Sequence, residues 1–286
     1  MDLRSPLGLA LGGGGVRGGA HIGLLKVLDR EGIEVGCIAG TSAGGLVGGL
    51  YAAGLPAVEI EALLLSLAPA ALVELDRSGW SLLGTTRLVA ALRERIGDER
   101  IEALPRPFAA VAVDLRTCRE VLLAAGPLLR AIQATIAIPG VFCPVARDGA
   151  LLVDGGVLNN VPVDVARKLG ARQVLAVHLG RLPSDAPPEI ASDGPVFGRL
   201  PGTLPRLLDR ALCLSGRRRA MDVAGRSIGI LTAALCAARL RECPPDLLLR
   251  PALAMGALDL ERLPEAIAAG ERLAEAHLDE ICRLAG

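Results

Sequence analysis

Two short segments of the chain combine a potential nucleophile with glycine-rich backbone. The first, LALGGGGVRGGAH (residues 9–21), places four consecutive glycines directly after an apolar run. Glycine costs a regular element about 0.5–1 kcal/mol relative to alanine, so this run indicates backbone that bends sharply and brings its N–H groups close to an anion. The second, GTSAG (residues 40–44), has the form G-x-S-x-G, which exposes a serine on a sharp strand-to-helix turn. Together they favour chemistry centred on Ser42.

The glycine segment by itself allows more than one interpretation. Gly13, Gly15 and Gly18 match the G-x-G-x-x-G pattern of dinucleotide-binding loops, and Glu34 lies near the expected acidic position. A tight structural turn is the plainer alternative. A P-loop is excluded because no Gly-Lys-Ser/Thr follows the glycines. The anion is therefore either a cofactor's phosphate or a charge that exists only during a reaction.

A third segment, LLVDGGVLNNVPV (residues 151–163), supplies a carboxylate. Asp154 follows an apolar strand, and Gly155 and Gly156 release it into a turn. A plain turn is the commonest role of an Asp-Gly pair. Asn159 and Asn160 are predicted to organise this turn and to cap the helix that follows.

In this order, the three segments resemble the patatin-like phospholipase family. GGGGVRG is similar to its oxyanion loop, GTSAG to its nucleophile elbow, ATIAIPGVFCPV to the segment ahead of its catalytic aspartate, and DGGVLNNVPV to the aspartate motif. The resemblance covers about residues 7–179 and continues more weakly to the last helix. The family's loop often begins with aspartate where this chain has Gly12, a substitution also seen in bacterial-type members.

The resemblance implies a catalytic dyad in which Ser42 is the nucleophile and Asp154 its base. Backbone N–H groups of about Gly14 and Gly15 would stabilise the oxyanion, and Arg17 would add positive charge or bind a nearby carbonyl. The site residues implied are Ser42 and Asp154 (catalytic), Gly13, Gly14, Gly15, Arg17 and Gly18 (oxyanion hole), Gly40 and Gly44 (elbow), and Gly155 and Gly156 (aspartate motif). The anion that the glycine segment meets is then the charge that develops in the transition state, and neither a cofactor nor a metal is expected.

The function implied is a serine acyl hydrolase of lipid carboxyl esters, of phospholipase A or lysophospholipase type, with a lipid or lysophospholipid as substrate. One alternative is a Ser-Asp-His α/β-hydrolase esterase, because His178 and His277 follow Asp154 in the chain. His178 lies in an apolar strand and is predicted to be a core residue, whereas His277 is predicted to lie on the surface of the last helix. A non-enzymatic lipid- or nucleotide-binding module is the second alternative.

Composition narrows the choice of partners. The 286 residues are 51% hydrophobic and 22% charged, with zero net charge and only 2% aromatic side chains. This argues against a nucleic-acid partner, which calls for basic surface and stacking rings.

The seven cysteines, an odd number without C-x-x-C spacing, are typical of free thiols in a reducing compartment and predict a cytoplasmic protein. The oligomeric state stays open.

The element pattern predicts the fold class. Residues 7–11 and 35–40 are strand-like runs on either side of a helical pattern at 18–30, which makes a βαβ unit. Continued alternation, with paired strands at 108–115 and 119–124, predicts an α/β fold: a three-layer α/β/α sandwich with a mainly parallel central sheet. We expect one domain over residues 1–286, with the motif-bearing core at about 7–179, a helical and loop excursion at 183–243, and a final strand and helix at 244–286.

Two uncharged segments bear on membranes. Val35–Val58 is long enough to cross a bilayer, but its seven glycines and Pro56 favour a buried strand, a turn and a buried helix. Ser227–Ala238 is too short to cross and follows several arginines. A core helix is the favoured interpretation of that run, and peripheral contact with a membrane is the alternative.

Overall fold

A central mixed β-sheet organises the protein, as seen in a computed structural model that describes residues 7–67, 74–75, 81, 83–180, 182–183, 185 and 217–286. The main sheet has eight strands in the order β10-β9-β1-β2-β5-β8-β7, with β6 also paired to β5. The strands are β1 (Leu7–Leu11), β2 (Val35–Thr41), β3 (Glu74–Leu75), β4 (Leu83–Gly84), β5 (Phe108–Asp114), β6 (Arg119–Leu123), β7 (Val145–Arg147), β8 (Ala150–Asp154), β9 (Val174–Val177) and β10 (Leu247–Leu249). β3 and β4 form a separate antiparallel pair.

The helices cover both faces of this sheet. They are α1 (Gly19–Arg30), α2 (Ala43–Ala52), α3 (Ala57–Ser66), α4 (Thr86–Ile96), α5 (Leu128–Thr135), α6 (Val163–Lys168), α7 (Arg217–Glu242), α8 (Leu263–Ala276) and α9 (Leu278–Ala285). Along β1, Leu9 faces a core cluster with α1, α2, α5 and α8, while Ala10 faces a second cluster with α6 and the end of α7. Successive strand residues point to opposite faces, so a strand buried on both sides is apolar throughout. The predicted three-layer sandwich is confirmed.

Five of the eight strands, β10, β9, β1, β2 and β5, run parallel, as predicted for most of the sheet. The remaining three pair antiparallel at one end. β6 pairs with residues 110–114 along one edge of β5. β2 pairs with residues 108–111 and β8 with residues 112–114, so these two strands share the other edge of β5 and meet end to end.

Several predicted elements differ in detail. The final helix, predicted as continuous over Leu260–Leu284, is broken at His277, which separates α8 from α9. The uncharged run Val35–Val58 forms β2, α2 and the start of α3, as predicted. Among the described residues, none of the helices combines the length and apolar character that crossing a bilayer requires. Most of the loop predicted at 183–205 lies outside the described residues, and the single-domain expectation stays a prediction.

Candidate active site

Ser42 occupies the sharp turn between β2 and α2. Its backbone has φ 55° and ψ −123°, a conformation that is strained for a residue with a side chain. The turn is tight because α2 begins directly against the end of β1: a Cβ on Gly44 would collide with the carbonyl oxygen of Leu11, and one on Gly40 with that of Gly44. The sequence therefore folds into the strand–turn–helix arrangement that the G-x-S-x-G pattern predicts.

Asp154 lies at the carboxyl end of β8, where that strand meets the end of β2. Its carboxylate accepts a hydrogen bond from the backbone N–H of Gly156 (2.7 Å) and one from the side chain of Ser42. Burial raises the pKa of Asp154 to about 6, although both hydrogen bonds act to lower it. The structure thus brings the two predicted catalytic side chains together, and it places the carboxyl where its basicity is greater than in water.

The glycine segment runs from the end of β1 over Ser42. The N–H of Gly13 donates to the carbonyl of Asn160 (3.1 Å), and that of Val16 to the carbonyl of Ala257 (2.8 Å). By contrast, the N–H groups of Gly14 and Gly15 have no acceptor among the described residues. A Cβ on Gly13 would lie 3.0 Å from the Cβ of Ser42, which shows how closely the loop approaches the serine.

Arg17 and His21 hold the shape of this loop. The Nε of Arg17 donates to the carbonyl of Gly14 (3.1 Å), which is the second of the two roles that the sequence left open for this arginine. The Nε2 of the buried His21 lies 2.7 Å from the carbonyl oxygen of Gly12. Burial lowers the pKa of His21 to about 4, so the ring is neutral at pH 7 and donates through Nε2. On the other side of the loop, a Cβ on Gly18 would lie 2.5 Å from that of Ala43.

The Asn159–Asn160 pair ties the three motifs together. The hydroxyl of Thr41 donates to the carbonyl of Asn159 (2.8 Å), and the Gly13 N–H donates to that of Asn160. The prediction that these asparagines cap the following helix is wrong, because Pro162 is the residue at the N-cap of α6 and the helix has no side-chain cap. Instead the side-chain amide of Asn159 donates to Asp164 (2.9 Å).

None of the three histidines, all of which the structure describes, has a hydrogen bond to Ser42 or Asp154. His178 is buried after β9, as predicted, and burial with the nearby charges of Arg250 and Arg17 lowers its pKa to about 4. His277 is half-buried at the break between α8 and α9, where its Nδ1 lies 2.9 Å from the carbonyl oxygen of Leu273. The Ser-Asp-His arrangement therefore gains no support from the geometry.

An apolar cavity opens at Ser42. It has a volume of about 150 Å³, and apart from Ser42 its walls consist of glycines and apolar side chains from the loop, α2, the end of α3, β4, α4, residues 136–142 and residues 257–263. The apolar residues include Leu46, Val47, Leu64, Leu88, Phe142 and Leu258. Such walls suit a hydrocarbon chain. In the part of the chain that the structure describes, no group of three or more carboxylate, histidine or cysteine side chains is arranged to hold a metal ion.

Comparison with known proteins agrees with this geometry. The family model for patatin-like phospholipase matches residues 9–167. An uncharacterized NTE family protein of Mycobacterium tuberculosis is 41% identical over 174 residues, which are 60% of this chain and 48% of that protein. Human patatin-like phospholipase domain-containing protein 6 is 32% identical over 182 residues, which are 61% of this chain and 13% of that protein. The chain thus spans about half the length of its mycobacterial relative.

Among solved structures, VipD from Legionella pneumophila has the same fold. It superposes with a TM-score of 0.56 at 13% sequence identity, over 97% of this chain and 67% of VipD. The family match covers β1 through α6, which includes the glycine loop, the Ser42 turn and the Asp154 segment. The chain therefore belongs to the patatin-like phospholipase family.

Proposed function

We propose that this protein is a serine acyl hydrolase that cleaves carboxyl esters of lipids, of phospholipase A or lysophospholipase type. One observation carries the proposal: Ser42 stands on a strained turn at the mouth of an apolar cavity, hydrogen-bonded to a buried carboxyl of raised pKa. An acyl chain in the cavity would bring its ester carbonyl to the serine. Lipid hydrolysis is also the activity that the family's name describes.

The first chemical step is attack by the Ser42 oxygen on the ester carbonyl carbon. Asp154 accepts the hydroxyl proton as the new C–O bond forms, and its raised pKa makes it a better base than an exposed carboxylate. The carbonyl oxygen becomes an oxyanion. The free N–H groups of Gly14 and Gly15 are its proposed donors, each worth about 3–4 kcal/mol in sites of this kind.

Collapse of this tetrahedral intermediate breaks the bond to the leaving alcohol, which takes the proton from Asp154. The acyl group stays on Ser42 as an ester. Water then attacks that ester, again giving its proton to Asp154, and the fatty acid leaves as the serine recovers its hydrogen. Neither a cofactor nor a metal ion is needed in any step, so the proposed roles of Ser42, Asp154 and the glycine loop account for the whole reaction.

A peripheral contact with a lipid surface is part of this proposal, and α7 is the element that fits it. Asp246, just after α7, accepts a hydrogen bond from the N–H of Val174 at the start of β9, so α7 ends at the amino edge of the sheet. The end of α7 is packed against the rest of the protein, because Cys236 is buried and Arg239 forms ion pairs with Glu120 (3.0 Å) and Asp164 (3.3 Å). The helix is about 39 Å long, roughly twice the length of a strand, and its described side chains before Cys236 are exposed or half-buried.

Before Cys236, α7 exposes several large apolar side chains. Ile228 is 54% exposed, and Ile230 and Leu231 are each 69% exposed. The sequence favoured a core helix for Ser227–Ala238. That prediction is wrong for the first part of this run, because Cys236 is the first of its side chains that is buried. Apolar side chains on a helix that begins with three arginines suit an anionic lipid surface. We propose a cytoplasmic protein that reaches its substrate in this way.

Substitution of the nucleophile tests the enzymatic proposal. Ser42→Ala is expected to lower hydrolysis of a short-chain p-nitrophenyl ester at least about 1000-fold and to abolish labelling by a fluorophosphonate. Ser227→Ala, which removes an exposed hydroxyl on α7, is the matched control and should behave as the parent. Turnover by Ser42→Ala near the parent rate would overturn the assignment. Equal loss in a folded His178→Ala or His277→Ala would favour the Ser-Asp-His alternative, and failure of the parent to react with the fluorophosphonate would favour a binding module.

A further inference from the structure

Thr135 links the Ser42 turn to the neighbouring strand. This residue is the last of α5 and is completely buried. Its hydroxyl accepts a hydrogen bond from the backbone N–H of Ser42 (2.9 Å) and donates one to the carbonyl of Val111 in β5 (2.5 Å). Because Val111 is the β5 partner of Thr41, the hydroxyl lies where the β2–β5 ladder ends.

The same short segment also holds the aspartate. The N–H of Asp154 donates to the carbonyl of Ala137 (2.9 Å), two residues beyond Thr135. Ser42 and Asp154 come from strands that run in opposite directions, and each is tied through its backbone N–H to residues 135–137. The separation between the two side chains therefore depends on this segment.

We propose that Thr135 is a positioning residue for the Ser42–Asp154 pair, acting through its bridge from the Ser42 N–H to the Val111 carbonyl. The inference rests on the proposed function, because it assigns Thr135 a role in keeping Ser42 within reach of its base. Thr135 does not line the apolar cavity, so its contribution is to the geometry of the reacting groups and not to binding of the acyl chain.

The bridge also explains how the strained turn persists. A backbone at φ 55° needs contacts that fix it from outside, and a buried N–H without an acceptor would cost about 1–3 kcal/mol. A single hydroxyl serves both partners here, since it accepts from one and donates to the other. The methyl group of Thr135 fits against Gly45, where a Cβ would lie 2.5 Å from Cγ2, so no larger side chain fits at residue 45.

Thr135→Val removes the hydroxyl at nearly constant shape and places a methyl group against the Ser42 N–H and the Val111 carbonyl. We expect kcat for a short-chain ester to fall about 100-fold, because a displacement of about 1 Å in a reacting group has an effect of that size. KM should change less than about threefold, and labelling of Ser42 by a fluorophosphonate should slow in parallel with kcat. Thr135→Ser keeps the hydroxyl and is expected to retain kcat within about threefold of the parent.

The pH profile separates positioning from general destabilisation. The hydrogen bond from Ser42 lowers the pKa of Asp154, so a variant in which the two groups move apart should have a higher pKa at this carboxyl. The acid limb of kcat/KM, which reports the free enzyme, is then expected at higher pH in Thr135→Val than in the parent. A loss of stability that leaves the site intact would not shift this limb.

Tyr51→Phe is the control for stability. It removes a part-buried hydrogen bond to Asp29 (2.6 Å), at a distance of about 13 Å along α2 from Ser42. It should lower the midpoint of urea unfolding without changing kcat or the acid limb. If Thr135→Val does not fold, Thr135→Ala takes its place, because it deletes the same hydroxyl without a steric clash.

Two results would overturn the inference: parent kcat and an unshifted acid limb in the hydroxyl-free variant, or a Thr135→Ser variant as impaired as Thr135→Val. Whether Ser42 is the nucleophile is a separate question. That question is answered separately by Ser42→Ala and by labelling of Ser42, so failure of the positioning role and failure of the proposed function are distinguishable.

Discussion

Thr41 and Asp154 occupy consecutive places along one edge of β5, opposite Val111 and Ala112. Their strands point toward each other, because β2 runs parallel and β8 antiparallel to β5. Each strand ends in a turn at this junction, so Ser42 follows Thr41 into the same space that the Asp154 side chain enters. The proximity of nucleophile and carboxylate is thus a property of sheet register.

The strain at Ser42 predicts a conflict between stability and function. Ser42→Gly removes a side chain from a backbone at φ 55°, which stabilises the folded state by relieving about 1–3 kcal/mol of strain. The greater entropy of glycine in the unfolded chain opposes this by about 0.5–1 kcal/mol. We expect the variant to be more stable by about 1 kcal/mol in urea unfolding and to be inactive. Cys118→Gly, at an exposed residue with the same φ, should stabilise without loss of activity. A less stable Ser42→Gly would show that the turn is unstrained.

The buried carboxyl predicts opposite effects of pH on activity and stability. Activity requires Asp154 to be ionised, so kcat/KM should fall as pH drops below about 6. The folded pKa lies above the ordinary value of about 3.9, so the folded state binds the proton more tightly and this group's contribution to stability is lost as pH rises from about 4 to 6.

Asp154→Asn measures that contribution, since its amide does not titrate. The free energy of unfolding of the variant relative to the parent should increase by about 2 kcal/mol between pH 4.5 and pH 7.5. The variant should also lose activity nearly as completely as Ser42→Ala, because an amide cannot accept the serine proton. A difference in stability that is constant with pH would contradict the raised pKa.

The glycine loop should tolerate no side chain at Gly13. A Cβ there would lie 3.0 Å from Ser42 Cβ and 2.6 Å from Asn160 Oδ1, which forces the loop and its free N–H groups away from the serine. We expect Gly13→Ala to lower kcat about 100-fold or more, the effect of losing an oxyanion donor. Gly229→Ala, in an open part of α7, is the control. Parent turnover in Gly13→Ala would argue against the oxyanion role.

The apolar cavity predicts how chain length affects hydrolysis. Leu64 lines the cavity, whereas the adjacent Leu65 is 45% exposed and does not. Leu64→Trp should fill part of the space, raising KM for long-chain esters about tenfold, the equivalent of about two buried methylenes, and leaving an acetyl ester unaffected. Leu65→Trp should act as the parent on both. Equal effects on short and long esters would place the acyl chain elsewhere.

The exposed apolar side chains of α7 predict an effect confined to lipid surfaces. Replacing Ile230 and Leu231 together with aspartate should weaken sedimentation with anionic phosphatidylglycerol vesicles at least about tenfold, while hydrolysis of a short soluble ester stays at the parent rate. Val58→Asp, at an exposed apolar residue of α3, is the matched control. Unchanged vesicle binding in the double variant would remove α7 from the proposed contact.

Local sequence patterns predicted much of the fold. The alternation of apolar strands with helices, the G-x-S-x-G turn and the break after Asp154 each depend on residues close together in the chain, and all three occur as predicted. The helix break at His277 was missed, since the apolar spacing continues through it. The exposure of Ile230 was not predicted either, because an uncharged sequence is compatible with both a buried helix and an exposed one.

The sequence by itself therefore determined the sandwich, the strand-to-helix turn at Ser42 and the family. Tertiary structure decided that β8 pairs antiparallel with the end of the β5 edge that β2 occupies, beyond the last residue paired with β2, which brings Asp154 to Ser42. It also decided the bridging role of Thr135, a residue whose segment was noticed only for its resemblance. The physical reason is the distance along the chain over which each preference acts. Turn and helix preferences depend on a few neighbouring residues. Strand register and the partners of a buried hydroxyl depend on groups about 25 to 110 residues apart, which meet only when the core has packed.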